Sequence, residues 1–219
     1  MNELIAKKIE VDAVFIDSKF ASRKDKEIWH ERTGNHLPWI PFSELKTFNI
    51  PFYFVDRHDS EATALLIKSL EIDLLINGVT HRILKKHTIK SVSLGILNVH
   101  PGILPFFKGC TCVEWAVYLD EKIGNTVHYM NEKIDDGGII ESSELTFNDC
   151  KNYSDLRVKV YRDGFKLMAT CVDRLLRDGS LKTIDQGGLK GNYFKVIDSE
   201  KMKIVREKIN KKNYKYQNL

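Results

Sequence analysis

Short runs of apolar, β-branched and aromatic residues alternate along this chain with stretches whose apolar positions recur every three or four residues. Residues 11–16 (VDAVFI), 51–55 (PFYFV), 72–76 (IDLLI), 96–99, 126–130 (TVHYM) and 139–145 read as strands, several of them apolar enough to be buried on both faces. Between them lie helical patterns. Ser60 is placed to N-cap a helix through about residue 69, with Ala62, Leu65, Leu66 and Leu70 as its stripe. Residues 80–86 read as a short helix with a basic C-terminal end. Thr111-x-x-Glu114 has the form of a capping box, opening a helix with Trp115, Val117 and Leu119. The strongest helical pattern covers 155–177, capped by Ser154 and ended by Gly179, with Leu156, Val160, Leu167, Met168, Cys171, Leu175 and Leu176 on one face. Residues 17–41 are polar and show no clear period; Gly124-Asn125 reads as a turn and 131–138 as a loop. Strand and helix in alternation predict an α/β fold built on a mainly parallel sheet.

Composition changes this picture little. A chain of 219 residues is long enough for one α/β domain and a small appendage. A boundary is expected near 184–191, where QGGLKG separates a domain of residues 1–184 from a hairpin-like NYFKVI and a basic tail at 185–219, a candidate dimerisation element. The tail holds seven Lys/Arg against two Asp/Glu from residue 199 on, which accounts for the whole net charge of +4. Such a charge is expected on a solvated helix and a frayed end rather than on a nucleic-acid surface. No apolar run approaches the ~20 residues that span a bilayer, and residues 1–10 do not read as a secretory signal. A cytoplasmic protein without a membrane partner is therefore expected. Of the four cysteines only Cys110 and Cys112 are close, and C-x-C without a second pair makes a poor zinc site. His58, His81 and His87 show no ligand spacing either, so no metal is expected; Trp29 and His30 are expected to cover the core.

The chemistry gathers around Asn98-Val99-His100-Pro101-Gly102. Strand alternation puts Asn98 and His100 on one face, at the C-terminal end of a strand, where open α/β sheets bind ligands. An amide donor can meet charge developing on an oxygen, and an imidazole beside it can accept or relay a proton. Asp135, in the loop IDDGG, could raise and orient that imidazole, and Gly137 and Gly138 would permit close backbone approach to a flat ligand. Taken singly, Asn98 and His100 suit a structural turn equally well, and Asp-Asp-Gly-Gly is more commonly a solvated acidic turn.

Their order carries more. N-V-H-P-G-I-L-P-F-F-K-G, then T-V-H-Y-M, then I-D-D-G-G-I-I resembles the 10-formyltetrahydrofolate-dependent formyltransferases, over about residues 73–179. The resemblance implies an N-formyltransferase in which Asn98, His100 and Asp135 are catalytic. Asn98 and His100 would stabilise the oxyanion, and His100 or Asp135 would manage the proton. It also implies a Rossmann-like fold and 10-formyltetrahydrofolate as donor, held by Asn77, Gly78, Arg82, Ile83, Leu84, Asp136 and Gly137. Pro101, Gly102, Lys108 and His128 would face the acceptor.

Residues 109–118 (GCTCVEWAVY) and the late QGGLKGNYFKVI are similar to the sugar N-formyltransferases. That likeness implies a nucleotide-linked 4-amino-4,6-dideoxyhexose as acceptor, a role in surface polysaccharide synthesis, and a homodimer. A glycinamide ribonucleotide or other amine formyltransferase is the alternative, as is a non-catalytic folate or sugar-nucleotide binder. One departure stands out: residues 1–8 read as the family's first helix and 11–16 as its second strand, so either the first strand is missing or the start of the sequence is misassigned.

Overall fold

The structure, a computed structural model, describes residues 1–17, 22–37, 46–78, 80, 82–187, 189 and 191–217. The expectations for His81, for parts of 17–41 and for parts of 186–191 lie outside the described residues. A short helix α1 (Asn2–Ala6) precedes strand β1 (Val14–Asp17). Helix α2 (Arg23–Thr33) follows, then a single 3-10 turn (Lys46–Phe48) and β2 (Phe52–Val55). Next come α3 (Glu61–Ser69), β3 (Leu74–Ile76), α4 (Lys86–Ile89), β4 (Gly95–His100) and β5 (Phe107–Gly109). Then follow α5 (Cys112–Tyr118), β6 (Gly124–Tyr129), β7 (Ile139–Glu144), the long α6 (Tyr153–Asp178), β8 (Asn192–Phe194) and α7 (Ser199–Asn210).

The expected α/β class holds. Among the described residues three of the five strand pairings are parallel: β1 with β2, β3 with β4, and β5 with β8. The main sheet runs β3-β4-β6-β7, with β4-β6 and β6-β7 antiparallel. Among the described residues β1 and β2 form a two-stranded sheet of their own, preceded by α1 as the sequence suggested.

Long helix α6 covers the main sheet. Leu97 and Val127 from the strands meet Met168, Cys171, Val172 and Leu175, all buried. A second core joins Val113, Val117, Phe147, Leu156 and Val160 to Ile197, Val205, Ile209 and Tyr214. The C-terminal segment is therefore part of the packed interior, and the frayed end expected from its charge gives way to order: Tyr214 and Gln217 are buried. Lys208 explains part of this, since its ammonium donates to Val117 O and Tyr118 O at the end of α5 and pairs with Asp120.

Several local expectations change for identifiable reasons. Residues 23–33 form a helix where no period was evident, because Ser22 and Asp25 make a reciprocal capping box on a largely exposed, highly charged segment. The short helix forms at 86–89 rather than 80–86. Thr111 precedes α5 in a left-handed conformation without capping it; its hydroxyl bonds Lys195 O and Ile197 N instead, and Glu114 turns into the interior. Gly124-Asn125 is strand, not turn. A side chain at Gly124 would stand 2.0 Å from Ser143 O across the sheet, and the Asn125 amide donates to Val160 O and Asp163 of α6. Asn152 rather than Ser154 caps α6, and Leu176 faces solvent. Residues 192–194 do not return on themselves as a hairpin; they add in parallel to 107–109.

Candidate active site

Strand β4 ends at His100, and the chain must turn at once to reach β5. Gly102 makes that turn specific to glycine: a Cβ there would lie 2.7 Å from His100 Nε2, 2.9 Å from Phe107 O and 3.0 Å from Cys112 Cβ. Thr126, across the sheet, holds the same turn by donating to Gly102 O (2.8 Å) and accepting from Leu104 N (3.1 Å). The His100 ring is buried and its Nε2 lies 2.7 Å from Phe107 O. A carbonyl oxygen only accepts, so Nε2 carries the proton and, in the neutral ring, Nδ1 is bare. Nδ1 stands 3.4 Å from Asp135 Oδ2.

Asn98 faces His128 across the β4-β6 ladder. Its amide nitrogen is 3.0 Å from His128 Nε2, while His128 Nδ1 lies 2.8 Å from Tyr129 O. The same logic protonates Nδ1 of His128 and leaves Nε2 as acceptor. Nε2 also faces Asp135 Oδ1, at 3.6 Å. The β6-β7 ladder shifts register between Val127 and His128, a bulge of the kind that re-aims side chains beside sites. Asp135 itself sits at φ +50, a left-handed conformation costing an L residue about 1–2 kcal/mol. Its carboxylate accepts from Gly109 N at 2.9 Å, and Gln186 holds its loop from behind by donating to Asp135 O and Gly137 O.

The electrostatics follow from burial. Removal from water would raise the Asp135 carboxyl, but the His128 and His100 rings and the Gly109 N–H outweigh it and hold it below the usual carboxylate range. Burial pushes the His100 imidazole below its ordinary value, only partly opposed by Asp135. The result is an ionised carboxylate flanked by two imidazoles, with His100 Nδ1 facing one oxygen and His128 Nε2 the other. An ionised carboxylate beside an imidazole is placed to take up a proton.

The structure thus brings Asn98, His100, His128 and Asp135 together. The other expected residues divide. Gly78, two residues beyond β3, has open space where a side chain would stand, and Ile83 is 60% exposed next to buried Leu84. The Arg82 side chain turns away: its guanidinium pairs in fork fashion with buried Asp17, both contacts at 2.8 Å. The Asn77 side chain bonds Asn98. Lys108 neutralises Asp136, which Lys133 also approaches, so neither stands as an unpaired charge. Gly137 approaches protein rather than a ligand, since a Cβ there would lie 1.8 Å from Tyr129 O, and Gly138 packs on Thr183. Pro101 is half-buried at the turn, while Gly102 lies behind His100. Sequence reasoning missed Gln186, Thr126, Thr80 and His58. Gln186 lay in what read as a linker, and its only signal was a polar residue ahead of two glycines.

The sequence profile described as formyl transferase matches residues 2–172. The chain belongs to the formyl transferase family. A methionyl-tRNA formyltransferase of Bacillus licheniformis is 30% identical over 152 residues, 69% of this chain and 48% of that protein. The chain spans about half the length of the curated relatives it matches. Among solved structures, the formyltransferase PseJ of Anoxybacillus kamchatkensis, in complex with UDP-4,6-dideoxy-4-formamido-L-AltNAc and tetrahydrofolate, aligns at a TM-score of 0.57 with 17% identity. That alignment covers 94% of this chain and 95% of that one. Phosphoribosylglycinamide formyltransferase from Streptococcus pneumoniae aligns at a TM-score of 0.61 with 19% identity, over 80% of this chain and 92% of that one. At these identities the structural likenesses establish the shared fold. No group of three or more His, Cys, Asp or Glu among the described residues could hold a metal ion, and no described helix is long and apolar enough to cross a membrane.

Proposed function

We propose that this member of the formyl transferase family moves a formyl group from 10-formyltetrahydrofolate to the amino group of a nucleotide-linked 4-amino-4,6-dideoxyhexose, such as dTDP-4-amino-4,6-dideoxyglucose. The observation that carries the chemistry is the cluster of ionised Asp135, His100 and His128 beside the Asn98 amide. An amine that becomes an amide must shed a proton, and these groups have room for one. Asn98 has two amide N–H groups. One is on His128, leaving the second for the charge that develops on the formyl oxygen.

10-Formyltetrahydrofolate would supply the activated formyl carbon, and the open space beside Gly78 with the exposed Ile83 suits a flat ring there. Asp135, held ionised, takes the amine's proton with His100 beside it, and that proton would be passed to N10 of tetrahydrofolate as the bond from the formyl carbon to N10 breaks. His100 acts here through Asp135 rather than on the oxyanion, because its Nε2 is held by Phe107 O and its Nδ1 faces Asp135. Gly102 and Thr126 keep the His100 turn rigid, and Gln186 keeps the Asp135 loop in place.

The acceptor assignment rests on extent. The alignment with the sugar-nucleotide-bound enzyme from Anoxybacillus kamchatkensis covers nearly the whole of both chains. Sequence identity favours a second reading, a methionyl-tRNA acceptor. The two separate in one assay. Purified protein is mixed with 10-formyltetrahydrofolate and, in parallel, a panel of nucleotide-linked amino sugars, glycinamide ribonucleotide and methionyl-tRNA, and release of tetrahydrofolate is followed by absorbance. Turnover with an amino sugar alone is expected; turnover with only one of the other two acceptors refutes the sugar assignment.

A further inference from the structure

Asn98 can serve the formyl oxygen only if its amide nitrogen, rather than its carbonyl, faces the site. An Asn side chain can fit its space either way round, so something must set its direction. The hydrogen bonds around it allow that direction to be deduced from groups whose own direction is fixed. Thr80 N, a backbone donor, lies 2.8 Å from Asn77 Oδ1. That contact places the Asn77 carbonyl toward Thr80 and its Nδ2 toward Asn98, where it donates to Asn98 Oδ1 at 2.8 Å. Asn98 Nδ2 then points to His128 Nε2 at 3.0 Å. At the far end Tyr129 O, which can only accept, requires the His128 proton on Nδ1, so Nε2 is an acceptor. Deduction from either end gives the same orientation.

The near end is anchored as firmly. His58 Nε2 lies 3.1 Å from Phe15 O and must donate to it, which leaves Nδ1 to accept from the Thr80 hydroxyl at 3.0 Å. That hydroxyl accepts in turn from Arg82 N, and His58 N donates to Asp17, the carboxylate gripped by Arg82. A continuous directed chain therefore runs from β1 through His58, Thr80 and Asn77 to Asn98 and His128.

We propose that Asn77 is a positioning residue for the Asn98 amide, and that the His58–Thr80 pair holds Asn77 in turn. Asn77 thus acts on the formyl oxygen through Asn98, a role distinct from the donor-binding one its sequence position suggested. The inference rests on the formyl-transfer chemistry above for its kinetic consequence, but its structural half does not.

Asn77→Asp tests both. The substituted carboxylate keeps the shape of Asn77 and still accepts from Thr80 N, but presents an acceptor to Asn98. The Asn98 amide then swings its nitrogen toward residue 77 and its oxygen toward His128, which must protonate Nε2. In histidine-labelled protein, ring 15N shifts at mildly alkaline pH, with the His128 signals assigned by loss in His128→Gln, should report Nδ1–H alone in the wild type and a protonated Nε2 in Asn77→Asp. This readout needs no substrate, so it stands or falls apart from the acceptor assignment. With the acceptor found by the panel, kcat should fall about 100-fold, the usual cost of an oxyanion donor, with the KM for 10-formyltetrahydrofolate changed by less than about twofold. A wild-type His128 protonated on Nε2, an unchanged tautomer in Asn77→Asp, or a rise in KM at unchanged kcat would each overturn the proposal.

Discussion

At the residue scale the chemistry rests on which ring nitrogens carry protons. His100 and His128 each direct one ring nitrogen to a backbone carbonyl and the other toward Asp135. This arrangement makes a pH prediction whose sign follows from burial. His100 must be neutral to receive a proton, and burial lowers its pKa below the ordinary 6.5, so the neutral form persists to lower pH than in a free imidazole. Asp135, also lowered, stays ionised over the same range. The acid limb of kcat/KM measured across pH should therefore lie below about 6.5; a limb above that value would mean that His100 is held charged. The sequence showed Asn98, His100 and Asp135 as a motif, and strand alternation put the first two on one face. It could not show the proton directions, because these depend on Phe107 O, Tyr129 O and Thr80 N, backbone groups with no signature in residue type. The same blindness hid Gln186 and the side-chain partners of Arg82, Asn77 and Lys108.

At the element scale, α5, α6 and α2 meet around a charge pair in the interior. Glu114 and Arg157 are both buried, with Nη1 3.6 Å from Oε1. The Tyr153 hydroxyl donates to Glu114, and Arg157 donates to Tyr161 at 2.6 Å. Tyr161 in turn stacks near Trp29 of α2, with ring centroids 4.8 Å apart. Burial opposes both charges. Arg157 nevertheless holds the Glu114 carboxyl low, and Glu114 holds the guanidinium charged. Glu114 Oε2 and Arg157 Nε have no hydrogen-bond partner among the described residues, so the pair is not fully satisfied and removing one member strands the other. Arg157→Met should cost about 3–5 kcal/mol in urea unfolding, and adding Glu114→Gln should restore part of it. Additive losses would show that the two are not coupled. Glu114 read from the sequence as the far half of a capping box. The motif spacing was right for a helix start, but the interior charge of Arg157 outcompetes the N-terminal backbone for the carboxylate.

At the scale of the whole molecule, the order of strands and helices was legible because buried strands are apolar runs and α6 has a wide apolar face. What was not legible is how the C-terminal segment closes the structure. Charge suggested a solvated tail, yet Ile197, Val205, Ile209 and Tyr214 complete a core begun by α5, and β8 pairs with β5 next to the Asp135 loop. An amphipathic helix with a basic face looks the same in sequence whether its apolar side is covered or not. The site therefore draws on β4, β6, the 135–138 loop and the segment around Gln186 at once, so that distant parts of the chain jointly position one carboxylate. The most direct test of that account is single-turnover formyl transfer by Asp135→Asn, beside the wild type, with circular dichroism and thermal unfolding as controls for the fold. The account predicts an intact fold with transfer slowed by at least about 100-fold, since the cluster loses its negative charge and its principal proton acceptor. Wild-type transfer by the folded variant would contradict it.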